Sequence, residues 1–192
     1  SNTVSGCFSD NKGAGVDLRG GTKGNRIELV GTIQGGTQRN TVGLHIHDKG
    51  TEANTIRGFI EKSAKEGVLI SDGAAFNTVE VTVDSSGADG VLITGKGTNG
   101  NVFKGQSDGN KGNGVRVADG AQYNKIHCWT SKNGKNGILI EGKGTDLNEI
   151  VFASTSENGE AGLKVVRDTE GAPFGTVIGH VGGGENKGPG IW

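Results

Sequence analysis

An asparagine followed two residues later by Val, Ile or Phe recurs at Asn2, Asn25, Asn54, Asn77, Asn101, Asn124 and Asn148, with Gly175 taking an eighth place. The steps run from 23 to 29 residues, 23 being the commonest, so the longer ones carry insertions. Self-similarity at a fixed period of this size is the signature of a stacked repeat architecture. Each unit passes through a polar, glycine-bearing turn to a second signature, Gly then apolar, variable, apolar. It reads Gly15-Val16-Asp17-Leu18, Gly43-Leu44-His45-Ile46, Gly67-Val68-Leu69-Ile70, Gly90-Val91-Leu92-Ile93, Gly114-Val115-Arg116-Val117, Gly137-Ile138-Leu139-Ile140 and Gly162-Leu163-Lys164-Val165. Alternation of period two in such short segments specifies strands, and no stretch has helical spacing.

A unit of this length cannot bury its one apolar face alone, so successive units must stack in parallel and share a continuous core. The expected fold is all-β: a right-handed parallel β-helix of about eight coils in a single domain spanning residues 1–192. The inward columns are Val16, Leu44, Val68, Val91, Val115, Ile138 and Leu163, beside Leu18, Ile46, Ile70, Ile93, Val117, Ile140 and Val165. A third runs Val4, Ile27, Ile56, Val79, Phe103, Ile126, Ile150 and Val177. Stacked asparagine amides would hydrogen-bond along the axis. Turn glycines at Gly20, Gly73, Gly95, Gly120, Gly142, Gly134 and Gly159 are expected at positive φ. Cys7 falls in the first coil and Cys128 in the sixth, about 24 Å apart at the inter-strand spacing, too far for a disulfide.

Composition supports a narrow core and restricts the partners. Apolar residues make up only 31% of the chain, glycine supplies 38 positions, and the net charge is −1. A near-neutral chain with no basic run has no general pull towards nucleic acid or an anionic membrane, and neither is expected as a partner. No run approaches the length of a membrane span, and residues 1–6 lack the pattern of a signal peptide.

On a β-helix the outward side chains of adjacent coils stand side by side, so chemistry should appear as an exposed column. One outward column reads Asp17, His45, Leu69, Leu92, Arg116, Leu139 and Lys164; the next reads Arg19, His47, Ser71, Thr94, Ala118, Glu141 and Val166. The catalytic candidates are Asp17, Arg19, His45, His47 and Asp48, because two outward histidines at i and i+2 share a face and Asp17 is the lateral neighbour of His45. Asp72 and Arg116 are the substrate-binding candidates. Two imidazoles with no obvious third ligand lead to an expectation of no metal and no cofactor. Leu69, Leu92 and Leu139 form an apolar stripe that is either covered by the insertion at residues 35–42 or serves as an interface for homo-oligomerisation. The end coils need covers, whether from further chain, from end-to-end stacking, or from Trp192 and Phe174.

The repeated units, Ala88-Asp89-Gly90-Val91-Leu92-Ile93 among them, resemble the right-handed β-helix region of the pectate-lyase-like superfamily across essentially the whole chain. More locally, Gly43-Leu44-His45-Ile46-His47-Asp48-Lys49-Gly50-Thr51 resembles the segment of mannuronan C5-epimerases in which Gly-Phe precedes Asp-Pro-His followed by an acid. His47 and Asp48 match that motif's histidine and acid, whereas His45 replaces its first aspartate and Ile46 its proline. The resemblance implies a secreted or cell-surface protein with a polysaccharide partner. The implied chemistry is proton abstraction at C5 of a uronate, giving an epimerase or a lyase, with His47 or His45 as base and Arg19 neutralising the carboxylate. The alternatives are a glycan-binding module, which calls for exposed aromatics where Trp129, Tyr123 and Trp192 fall in no common column, and a non-catalytic structural or self-assembling β-helix.

Overall fold

A computed structural model describes residues 2–33, 40–166 and 175–192 of the chain. Strands β1 (Thr3–Gly6), β3 (Arg26–Ile33), β5 (Thr55–Glu61), β7 (Thr78–Asp84), β9 (Val102–Asp108), β11 (Lys125–Ser131), β13 (Glu149–Ser156) and β15 (Val177–Gly182) form one eight-stranded sheet in that order. The strands β2 (Ala14–Leu18), β4 (Val42–Ile46), β6 (Val68–Ile70), β8 (Val91–Thr94), β10 (Val115–Ala118), β12 (Ile138–Ile140) and β14 (Leu163–Val165) form a seven-stranded second sheet. All named pairings are parallel, for example Val16↔Leu44 and Val115↔Ile138, so the chain is a parallel β-helix of about seven full turns. Among the described residues there is no helix, and therefore none long and apolar enough to cross a membrane.

The inward columns close as the periodicity requires. Leu44, Val68, Val91, Val115, Ile138 and Leu163 are fully buried, and so are Ile46, Ile70, Ile93, Val117 and Ile140. Facing them across the narrow interior stand Ile56, Val79, Phe103, Ile126 and Ile150. The glycine that opens each second strand has a steric cause. A Cβ on Gly43 would lie 2.4 Å from Ile60 Cγ2, and one on Gly67 2.2 Å from Val83 Cγ1, because the opposite strand's side chain fills that space.

Asparagine holds the corner before the eight-stranded sheet. The backbone N–H and Nδ2 of Asn77 both donate to Oδ1 of Asn101, at 3.0 and 3.1 Å, and those of Asn101 donate to Oδ1 of Asn124 at 2.9 and 3.2 Å. Asn101 Nδ2 also donates to the Ala74 carbonyl of the preceding coil at 3.0 Å. The amide carries donors and an acceptor at once, so an identical residue above and below satisfies it in the buried interior. Periodicity alone did not reveal two further ladders. One runs through Asn110, Asn133, Asn158 and Asn186 in the same sense. The other runs through Asp89, Asn113 and Asn136 in the opposite sense, each Oδ1 accepting from the following coil.

Three expectations need correction. In the last coil Ile178, not Val177, pairs with Ile150, so the eighth ladder place belongs to Thr176. Gly175 instead takes the left-handed position that Ala53, Phe76, Tyr123 and Leu147 occupy before their ladder asparagines. Gly134 and Gly159 are not at positive φ; Lys132 and Glu157 take that conformation. The two glycines are required by close stacking, since a Cβ on Gly134 would sit 2.3 Å from the Lys111 carbonyl and one on Gly159 2.2 Å from that of Gly134. The cysteines behave as expected: Cys7 is exposed, Cys128 is buried, and no disulfide joins them.

A candidate functional site at the histidine corner

The outer face of the seven-stranded sheet brings the candidates together where β2 and β4 end. Asp17 and His45 are Cα partners across those strands, and Arg19 and His47 lie just beyond the strand ends. The next residues, Gly20, Asp48 and Asp72, occupy one turn position on successive coils, with φ of 65°, 72° and 52°. Aspartate tolerates the left-handed region better than most residues, so this turn accounts for the residue type at Asp48 and Asp72 independently of any chemistry. The turn also aims the Asp48 carboxylate back at the preceding histidine.

His47 sits between two carboxylates. Its Nε2 lies 2.9 Å from Asp17 Oδ1 and its Nδ1 2.9 Å from Asp48 Oδ1. A ring nitrogen that carries a proton donates to the carboxylate it faces. Asp48 Oδ2 in turn accepts the Gly20 N–H at 3.1 Å. The hydrogen bond from His47, then that from Gly20, holds the Asp48 carboxyl below the usual aspartate range. Arg19 Nε approaches Asp17 Oδ2 at 3.6 Å, and its mostly exposed side chain leaves the guanidinium open to a ligand.

His45 has the opposite character. Its ring stacks on His47 with centroids 4.1 Å apart and planes inclined by 22°. Its Nε2 is 3.2 Å from Ser71 Oγ, which donates to Asp72 Oδ2 at 2.7 Å. With the Ser71 proton committed to Asp72, Ser71 accepts from His45 Nε2–H, and the lone pair falls on Nδ1. Burial, followed by the neighbouring His47, lowers the His45 pKa below its ordinary 6.5, so the ring is neutral at neutral pH. The corner therefore pairs a carboxylate-bound imidazole with a neutral one whose lone pair lies on Nδ1.

Arg116 stands apart. It lies three strands along the same column, ion-paired to Glu141 at 2.7 Å and near Asp89 at 3.8 Å. Leu69, Leu92 and Leu139 do occupy the outward column, but none is widely exposed; Leu139 is only 8% exposed, beside Arg116, Glu141 and Lys164. Residues 35–39 of the expected cover and Phe174 lie outside the described residues. Trp192 folds back onto β14, its backbone pairing with Leu163 at 2.9 Å and its ring lying 4.4 Å from Lys164 Nζ.

A second feature was missed in the sequence. On the outer face of the eight-stranded sheet, His127, Trp129, Phe152 and His180 form one aromatic cluster, with ring centroids 5.2 to 5.9 Å apart. A register shift after Ile126 places Phe152 opposite His127 and His180 opposite Phe152, so counting from the asparagines assigns these residues to different columns. Trp129, 45% exposed, borders a groove of about 340 Å³ shared with Glu80, Thr82, Lys104 and His127.

No protein-family model matches this sequence, and no curated protein matches it. Among solved structures, a point mutant of the periplasmic alginate epimerase AlgG superposes with a TM-score of 0.60 at 14% identity, over 94% of this chain and 42% of that one. The chain thus spans less than half of that protein, and the likeness is one of architecture: both are built on a parallel β-helix.

Proposed function

We propose that this protein is an extracellular or periplasmic polysaccharide-associated β-helix, and that its histidine corner performs proton transfer at C5 of a uronate residue. The observation that carries this reading is the unlike pair of stacked imidazoles, His45 neutral with Nδ1 carrying the lone pair and His47 held between Asp17 and Asp48. His45 Nδ1 takes the C5 proton, and the electron pair moves into the adjacent carboxylate, whose growing charge Arg19 offsets. A solvent proton delivered to the opposite face inverts C5, His45 then returning its proton to water; breaking of the C4–O glycosidic bond, with the departing oxygen taking a solvent proton, instead leaves a C4–C5 unsaturated sugar. The structural kinship with an alginate epimerase supports the polymer class by analogy of fold.

The test is incubation with uronate polymers, following C5 inversion by NMR and unsaturated products by absorbance. Wild-type protein is expected to turn over at least one polymer, and His45→Ala and His47→Ala to lose that activity. Absence of turnover on every uronan would sink the enzymatic reading, and undiminished rates in the variants would move the site elsewhere.

The aromatic cluster favours a second reading, non-catalytic glycan binding in the Trp129 groove. An exposed indole flanked by Glu80, Lys104 and His127 offers a stacking face and hydrogen-bonding groups for a pyranose ring. Loss of polymer binding in Trp129→Ala, with binding retained in His45→Ala, would select it.

A further inference from the structure

The corner meets the requirements of a metal site more fully than the sequence indicates. One ligand atom each from Asp17, His45 and His47 lies within 4.8 Å of the other two, gathered from adjacent coils on one outward face, and a turn of one stacked ring about its side-chain bonds would bring both imidazole lone pairs onto a shared ion. Each ring is also oriented from behind. Asp48, anchored by the Gly20 N–H, holds His47 through Nδ1 and so directs Nε2 at Asp17. The Ser71–Asp72 pair holds His45. Carboxylates bound to the far nitrogen of a ligating histidine fix its tautomer and raise its basicity, and they are the usual outer shell of such sites. Arg19 braces Asp17 from the other side.

We propose that Asp17, His45 and His47 form a binding site for a divalent transition-metal ion of the zinc class. The donor set decides the class: two imidazoles and a single carboxylate suit zinc, nickel, cobalt or copper, whereas calcium and magnesium need a cage of oxygens. Three protein ligands leave at least one coordination position open to water or to a ligand oxygen. The ion replaces the proton that bridges His47 Nε2 and Asp17 Oδ1, and that proton leaves to solvent. The inference goes beyond the polysaccharide reading, because binding is read on the protein alone. The ion engages the same imidazoles, so a loaded corner does not transfer protons.

The experiment is calorimetric titration of untagged protein with zinc, together with the visible spectrum of the cobalt form. About one equivalent is expected to bind, with the cobalt spectrum showing nitrogen and oxygen ligation. His45→Ala and His47→Ala are each expected to weaken binding at least about tenfold, Asp48→Asn by about tenfold, and His127→Ala not at all. A large excess of calcium or magnesium should not displace the zinc. Protection of Cys128 from thiol reagents, which its burial enforces, confirms that each variant is folded. The proposal is overturned if folded His45→Ala and His47→Ala bind zinc as wild type does, if His127→Ala abolishes binding, if calcium competes on equal terms, or if wild type binds no zinc.

Discussion

The asparagine corner and the histidine corner both place polar side chains on successive coils, and they differ in what those side chains leave unsatisfied. In the first, Asn54, Asn77, Asn101, Asn124 and Asn148 repeat one residue, are fully buried, and complete each other's hydrogen bonds. In the second, the outward positions change with every coil, from Asp17 to His45 to Leu69 and from Arg19 to His47 to Ser71. Its groups keep charge, lone pairs and partial exposure. Repetition of a self-complementary amide is a solution to stacking. Unlike ionisable groups brought together where the repeat is interrupted answer no stacking need, and there the capacity for chemistry remains.

The largest expected consequence of this contrast lies in the ladder. Asn101→Ala removes an acceptor shared by the two Asn77 donors and leaves Asn124 Oδ1 and the Ala74 carbonyl each one donor short, all in the dry interior. A loss of about 3 kcal/mol or more is expected in urea unfolding, since each stranded buried group costs about 1–3 kcal/mol. A loss under about 1 kcal/mol would show that the amides are not what holds this corner.

The reverse change is available in the second ladder. Ser86 stands one coil before Asn110 and donates its backbone N–H to Asn110 Oδ1 at 2.9 Å, but its Oγ is buried without a partner, as is that of Ser63. Ser86→Asn supplies the missing rung and is expected to raise stability by about 1 kcal/mol, read as a higher urea midpoint at unchanged slope. A lower midpoint would mean that Val83 and Gly67 leave no room for the amide.

Asp108 is a charge placed on the scaffold rather than at the corner, and its effect is smaller. Burial is the main cause that raises its pKa above 3.8, opposed by the Ser131 N–H and hydroxyl at 2.7 and 3.0 Å; Asp84 also raises it and Lys132 lowers it. The folded state therefore holds this proton more tightly than the unfolded chain does. Its contribution is fully present below pH 3.8 and is lost as pH rises through the raised value. Asp108→Asn keeps an acceptor for Ser131 and removes the titration, so the gap between variant and wild type in thermal melts should shift in the variant's favour as pH rises through that window. A gap independent of pH would contradict the direction. The smallest stability effect belongs to the exposed edge of the histidine corner: Arg19→Ala, whose side chain is 68% exposed and reaches Asp17 only at 3.6 Å, is expected to change unfolding free energy by about 0.5 kcal/mol or less.

Much of the scaffold was legible because its cause is periodic. The inward columns and the Asn25 to Asn148 ladder follow from one residue type returning at one spacing, and the strand registers reproduce them. What escaped depends on backbone conformation that the side chains barely encode. Gly175-Thr176-Val177 and Thr176-Val177-Ile178 fit the pattern equally well; the left-handed residue before the ladder decides between them, and Gly24 and Gly100 were the available clue. The Trp129 cluster needs a one-residue shift after Ile126 that no pattern announces. The Asn110 to Asn186 ladder was visible in principle, its members 23, 25 and 28 residues apart. At the corner, sequence position alone brought Asp17, His45 and His47 together. It did not supply the Ser71–Asp72 chain that assigns the His45 lone pair.

The central claim is that His45 is a working base while the ladders only hold it in place. Its most direct measurement is deuterium incorporation at C5 of a uronate polymer incubated with the protein in D2O, because exchange reports proton abstraction whether inversion or elimination follows. Wild-type protein is expected to label C5, Asp108→Asn to label it at a similar rate, and His45→Ala to label it not at all while melting at the wild-type temperature. No exchange with wild type on any uronan, or undiminished exchange in His45→Ala, would contradict it.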